Sequence, residues 1–116
     1  MTDVLQELLS QRLPLPGVAA WAARRADHTV VYDTYSDWFA PAQIEQMIGR
    51  AVLVAENLDR HRLRPLRLCW VFDHARIHLA ARDDGHYLAM FVENRPDLPT
   101  DALTRVLGEF LALPEI

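Results

Sequence analysis

Ala75-Arg76-Ile77-His78-Leu79-Ala80-Ala81-Arg82-Asp83-Asp84-Gly85-His86-Tyr87-Leu88-Ala89-Met90-Phe91-Val92-Glu93 holds two largely apolar runs, 75–82 and 86–93, around an Asp-Gly pair. Asp-Gly between alternating runs is the strongest short-range signal for a β-hairpin. Taken as a two-residue turn, Asp84-Gly85 sets Ile77 against Val92, Leu79 against Met90 and Ala81 against Leu88 on one face. On the other face it sets Arg76 against Glu93 and Arg82 against Tyr87, an opposite-charge pair and a cation–π pair. A tight turn at Asp73-His74 extends the pattern to a strand in 66–73, with Trp70 against Ile77, Leu68 against Leu79 and Cys69 beside His78.

Upstream, Pro41 suits a first helical position. From 41 to about 61, Ile44, Met47, Ile48, Ala51, Val52, Ala55 and Leu58 share one helical face, and Pro65 bars continuation. Runs 18–25 and 29–36 alternate around a turn near Asp27-His28 and read as another hairpin, although that turn lacks Gly. A short helix over 3–12 turns Val4, Leu5, Leu8 and Leu9 inward and is stopped by Pro14 and Pro16-Gly17. The last helix has Thr100 as N-cap, Asp101 in its first turn and Leu103, Val106, Leu107, Phe110 and Leu111 as its buried stripe, and Pro114 ends it. The order is α-β-β-α-β-β-β-α. An α/β sandwich follows, with a five-stranded, mainly antiparallel sheet, the long helix on one face and the terminal helices on the other.

The chain has 116 residues, the size of one domain, with 51% hydrophobic and 24% charged residues and a formal net charge of -4. That balance disfavours a nucleic-acid partner. All 12 basic residues are Arg. Without Lys there is no phosphate-loop lysine, Schiff base or lysine general base. Cys69 is the single cysteine, and the start of the chain, Met1-Thr2-Asp3-Val4-Leu5-Gln6-Glu7, lacks the basic-then-apolar pattern of a secretory signal. No apolar run approaches the roughly 20 residues of a membrane span. A cytoplasmic protein without a membrane partner is expected.

Candidate chemistry is sparse. His74 and His86 fall at opposite ends of their hairpin, too far apart to share a metal, so no metal or other cofactor is expected. Cys69 and His78 are cross-strand neighbours placed beneath a helix. Without an orienting group or oxyanion hole they read as core or half-buried packing. The four Gly are isolated and form no phosphate loop, and Ser10 and Ser36 sit in no nucleophile elbow. No catalytic residue is assigned. Arg60, His61, Arg62, Arg64 and Arg67 form a basic run that reads as a solvated helix end or as a docking patch for an acidic partner.

The long helix carries the informative anomaly. Opposite its buried face run Glu45, Gln46, Gly49, Arg50, Glu56, Asn57 and Arg60, with Leu53 in their midst. Gly within a helix costs roughly 1 kcal/mol relative to Ala. A Leu beside a Gly on an outer face is what two closely crossing helices require. The self-association candidates on this face are Gln46, Gly49, Arg50, Leu53, Glu56, Asn57 and Arg60.

Leu15-Pro16-Gly17-Val18 opening the first strand, the hairpin around Asp27, the long second helix and Arg82-Asp83-Asp84-Gly85 in the closing strands together resemble the Roadblock family (dynein light-chain Roadblock type) over roughly residues 3–112. The chain departs from the family at His28, where Gly commonly follows Asp. The resemblance implies a non-enzymatic homodimer joined through the long helices and through the edge strand after them, here Leu66, Arg67, Leu68, Cys69, Trp70, Val71 and Phe72. It also implies a scaffold or a regulator of a Ras-like small GTPase. Two other readings are a secretion-type chaperone with exposed apolar grooves, and a ligand-sensing domain of PAS-like shape. The second needs a cavity, which Trp21, Trp70 and Phe72 are expected to fill.

Overall fold

The computed structural model describes residues 3–114. Met1 and Thr2, part of the acidic start of the chain, lie outside the described residues. Among those described, the elements run α1 (Val4–Arg12), β1 (Val18–Arg24), β2 (Val30–Thr34), α2 (Pro41–Arg60), β3 (Arg67–Val71), β4 (Ala75–Ala81), β5 (Tyr87–Glu93) and α3 (Thr100–Ala112). The strands form one antiparallel sheet in the order β2-β1-β5-β4-β3. β3 is therefore an edge, and the architecture is the expected sandwich.

Two apolar layers hold the sheet. Ile44, Ile48 and Val52 of α2 pack on Ala20, Ala22, Leu79, Ala89 and Phe91. The small residues of β1 let the helix approach closely. On the opposite face, Leu5, Leu8 and Leu9 of α1 and Leu103, Val106, Leu107 and Phe110 of α3 pack on Trp21, Leu88, Met90 and Val92. The long helix lies on one side and the terminal helices on the other, as their apolar stripes require.

Local chemistry sets the ends of the helices. Asp3 Oδ1 accepts from the backbone N–H groups of Leu5 and Gln6 at 3.0 and 3.3 Å, capping α1. Gln43 Oε1 reaches back to the Ala40 N–H at 2.9 Å at the start of α2. The C-terminus of α2 closes with Arg62 N–H donating to the Asp59 carbonyl at 2.9 Å and Leu63 N–H to the Leu58 carbonyl at 3.0 Å. Arg62 holds a φ of 64° at the position where such motifs favour Gly. The cap position of α3 falls on Pro99, so Thr100 is the first helical residue and not the N-cap.

The β3–β4 register is the one the sequence implies: Leu68 faces Leu79, Cys69 faces His78 and Trp70 faces Ile77. The β4–β5 register is one residue away from expectation. Ile77 faces Phe91, Leu79 faces Ala89 and Ala81 faces Tyr87. Arg82 N–H donates to the His86 carbonyl at 3.0 Å, so the loop is Asp83-Asp84-Gly85, with Gly85 at φ 87°. That is a three-residue loop with its glycine in the left-handed region, not a two-residue turn. The slip separates Arg76 from Glu93, since Arg76 faces Val92 and Ala75 faces Glu93. It also takes Arg82 away from Tyr87. The Arg82 guanidinium lies 5.7 Å from the Phe110 ring centroid, donates to the Phe110 carbonyl at 2.7 Å and pairs with Asp84 at 2.8 Å.

Candidate self-association surface

Backbone chemistry comes first at β3. Ala81 N–H donates to the Leu66 carbonyl and Phe72 N–H to the Ala75 carbonyl, at 2.9 and 2.8 Å. In an antiparallel ladder the bonded pairs alternate. Leu66, Leu68, Trp70 and Phe72 thus turn their polar backbone toward β4, and Arg67, Cys69 and Val71 turn theirs outward along the free edge. An edge with unpaired donors and acceptors is a template for another strand. Asn94 fixes the far end of this edge, its Nδ2 donating to the Phe72 and Asp73 carbonyls at 2.7 and 3.2 Å.

Side chains on the α2 face of this edge are apolar and incompletely covered. Leu66 is 66% exposed and Phe72 54% exposed, while Leu68 and Trp70 are half-buried against the core. Phe72 therefore fills no interior space, contrary to expectation, whereas Trp21 is buried. A groove runs between β3 and α2, lined by Met47, Arg50, Val54, Trp70 and Phe72. At its end opens a cleft of about 730 Å³ whose walls include Trp38, Phe39, Met47, Phe72 and Asp73.

On α2, Leu53 is 62% exposed and Gln46, Arg50, Glu56, Asn57 and Arg60 are exposed, so none of them packs in the core. Gly49 is half-buried, and a Cβ added there would meet nothing within 4 Å. The structure divides this set. Arg50 lines the groove beside β3, but Glu56 points the other way, 3.6 Å from Arg24 of β1. Met47 and Val54 line the same groove and were not singled out in the sequence. Met47 carries the helical period of the core, and Val54 sits next to Leu53 with no pattern of its own. Only the position of β3 relative to α2 reveals them.

The other face of β3 corrects one expectation. Cys69 is exposed instead of packed beneath a helix, because α3 packs against the sheet further in and leaves β3 uncovered. Its Sγ lies 3.9 Å from His78 Nε2. Desolvation, with the Arg67 and Arg76 charges nearby, pushes the His78 pKa down. Among the described residues no group of three His, Cys, Asp or Glu is placed to hold a metal. No helix of the described residues is long and apolar enough to cross a membrane. In the basic run, Arg64 lies 3.9 and 3.8 Å from Asp59 and Asp83, and Leu63 stands 61% exposed among the arginines.

No family model and no curated protein matches the chain. Solved structures do. A Roadblock/LC7 domain from Streptomyces avermitilis aligns with a TM-score of 0.63 over 95% of this chain and 91% of that one, at 15% identity. Myxococcus xanthus MglB aligns with a TM-score of 0.60 over 81% and 80%, at 6% identity. At these identities the likeness is one of fold, and the fold of this chain is that of the Roadblock/LC7 domain.

Proposed function

We propose that this chain is a non-enzymatic protein-interaction domain that works as a homodimer and serves as a scaffold or regulator for a Ras-like small GTPase. One observation carries the dimer. The unpaired backbone edge at Arg67, Cys69 and Val71 runs directly beside an apolar strip, Val54, Met47, Trp70 and Phe72. A second copy of the chain satisfies both at once, because a two-fold axis presents the same strip and the same edge. The GTPase partner rests on the resemblance to the Roadblock family and on the shared fold of MglB. The absence of Lys from the sequence and of an assembled nucleophile–base–oxyanion set among the described residues supports a role without catalysis.

Phe72→Asp tests this reading. The side chain is exposed, so the monomer should keep its fold, while a charge placed in the apolar strip should split the dimer. Sedimentation of the variant as a folded monomer, beside a dimeric parent, is the expected result. Two dimers that sediment alike would overturn the assignment.

A further inference from the structure

We infer that β2, the opposite edge of the sheet, docks an extended basic segment of a different protein by strand addition, with side chains of that segment seated in the groove between α1 and β2. This inference has its own observations and does not require the dimer proposed above.

β2 closes the sheet on the side away from β3. Arg25 N–H donates to the Thr29 carbonyl and Tyr35 N–H to the Ala19 carbonyl, both at 2.8 Å. Bonded pairs alternate in an antiparallel ladder, so Thr29, Val31, Asp33 and Tyr35 turn their backbone toward β1. Val30, Tyr32 and Thr34 turn theirs outward. The Thr34 N–H is taken by Asp33 Oδ1 at 2.9 Å, which holds that carboxylate at the rim of the edge. Val30 and Tyr32 keep a donor and an acceptor free among the described residues, and Thr34 keeps its carbonyl. A further antiparallel strand completes that pattern.

A groove of about 280 Å³ adjoins this edge, with Gln6, Leu9 and Ser10 of α1 on one wall and Val31, Asp33 and Tyr35 on the other. Alternate side chains of an added strand fall on this face. The Tyr35 hydroxyl accepts from Trp21 Nε1 at 3.1 Å and keeps its own proton to donate. Apolar contact from Leu9 and Val31, with the Asp33 carboxylate beside it, suits a side chain that has an aliphatic stem and a cationic head.

Charge decides the occupant. Asp27, Asp33 and Asp37 are exposed, and none of them forms an ion pair among the described residues. The neighbouring Arg24 and Arg25 are engaged by Glu56 and Asp3. A second copy fits this edge poorly. The two-fold pairing that matches outward groups sets Tyr32 against Tyr32 of the second copy. It then places Asp27 opposite Asp37 and Asp33 diagonal to Asp33, and like charges so opposed are destabilising. A strand with Arg or Lys at alternate positions reverses the sign of each contact.

The test uses the full chain and a labelled peptide of alternating Arg and Val. Fluorescence anisotropy should show saturable binding that weakens as salt rises. Replacing Arg by Glu in the peptide should lower its affinity about tenfold or more. N-methylating the peptide's backbone nitrogens, which removes the donors of the ladder and keeps the charge, should lower it by a similar factor. Asp33→Arg, at an exposed position, should leave the circular dichroism spectrum unchanged and bring the affinities of the Arg and Glu peptides together. No saturable binding of the Arg-Val peptide overturns the proposal. Equal binding of the N-methylated peptide overturns strand addition. Equal or tighter binding of the Glu peptide, or a preference that Asp33→Arg leaves intact, overturns the basic partner. An assembly of the parent chain that the Arg-Val peptide breaks apart in sedimentation overturns it in favour of a second copy.

Discussion

His28 and Gly85 occupy the same backbone position in two different hairpins. Arg25 N–H donates to the Thr29 carbonyl and Arg82 N–H to the His86 carbonyl, at 2.8 and 3.0 Å, so each loop has three residues, and its third residue lies at φ 75° or 87°. Glycine suits that position because it has no Cβ. Histidine adopts it in the first hairpin because Asp27 shapes the turn around it, accepting from the Thr29 N–H at 3.0 Å and from the Thr29 hydroxyl at 2.6 Å.

His28→Gly should therefore stabilise the protein, by about 1 kcal/mol, by relieving a left-handed non-glycine residue. Gly85→Ala should do the reverse, since an alanine there would carry the strained φ of 87°. Urea unfolding midpoints of the two variants should move in opposite directions.

Arg82→Ala should cost about 1.5–3 kcal/mol, the range for hydrogen bonds to charged groups. Its side chain is only 6% exposed and ties the β4–β5 loop to the end of α3 through Asp84 and the Phe110 carbonyl. Equal losses in Arg82→Ala and in an exposed control such as Arg105→Ala would show that this tie contributes nothing.

The Asp84 pKa is lowered below 3.8, chiefly by its hydrogen bonds from Arg82. A carboxylate whose folded pKa is depressed contributes stability that is fully present above the unfolded pKa and is lost as pH falls through the folded one. Unfolding free energy measured downward from about pH 5 should thus fall less steeply in Asp84→Asn than in the parent. Parallel curves would contradict the assignment.

Much of the fold was legible in the sequence because helical and strand periods differ. α2, β3 and the β3–β4 register follow from Pro41, the apolar spacing and Asp73-His74. The β4–β5 register was not legible. β5 is buried on both faces, Leu88, Met90 and Val92 on one and Ala89 and Phe91 on the other, so either phase offers an apolar partner at every step. Reading Asp84-Gly85 as a two-residue turn selects one phase, with an apparent Arg76–Glu93 pair in agreement, whereas the three-residue loop with Gly85 at its third position decides the other. At the candidate surface, Leu53 stood out from the helical pattern and the edge strand came from the family resemblance, but Val54 and Met47 become distinct only when β3 is placed beside α2.

That placement separates two neighbouring residues. Leu53 stands on the crest of α2, and Val54 lines the groove beside β3. Val54→Arg should raise the dimer dissociation constant more than Leu53→Arg, with both chains folded, since a desolvated cation costs more than one at a rim. Gly49→Leu should also weaken the dimer if the helices approach there. The opposite order for the two arginine variants would move the contact from the flank of α2 to its crest.

The most direct test of the account is the mass of the unmodified protein in solution by light scattering at micromolar concentration. A mass of twice the 13.3 kDa chain is predicted, because the outward backbone of Arg67, Cys69 and Val71 and the apolar strip beside it need a second copy. A mass of one chain throughout that range would contradict the central claim.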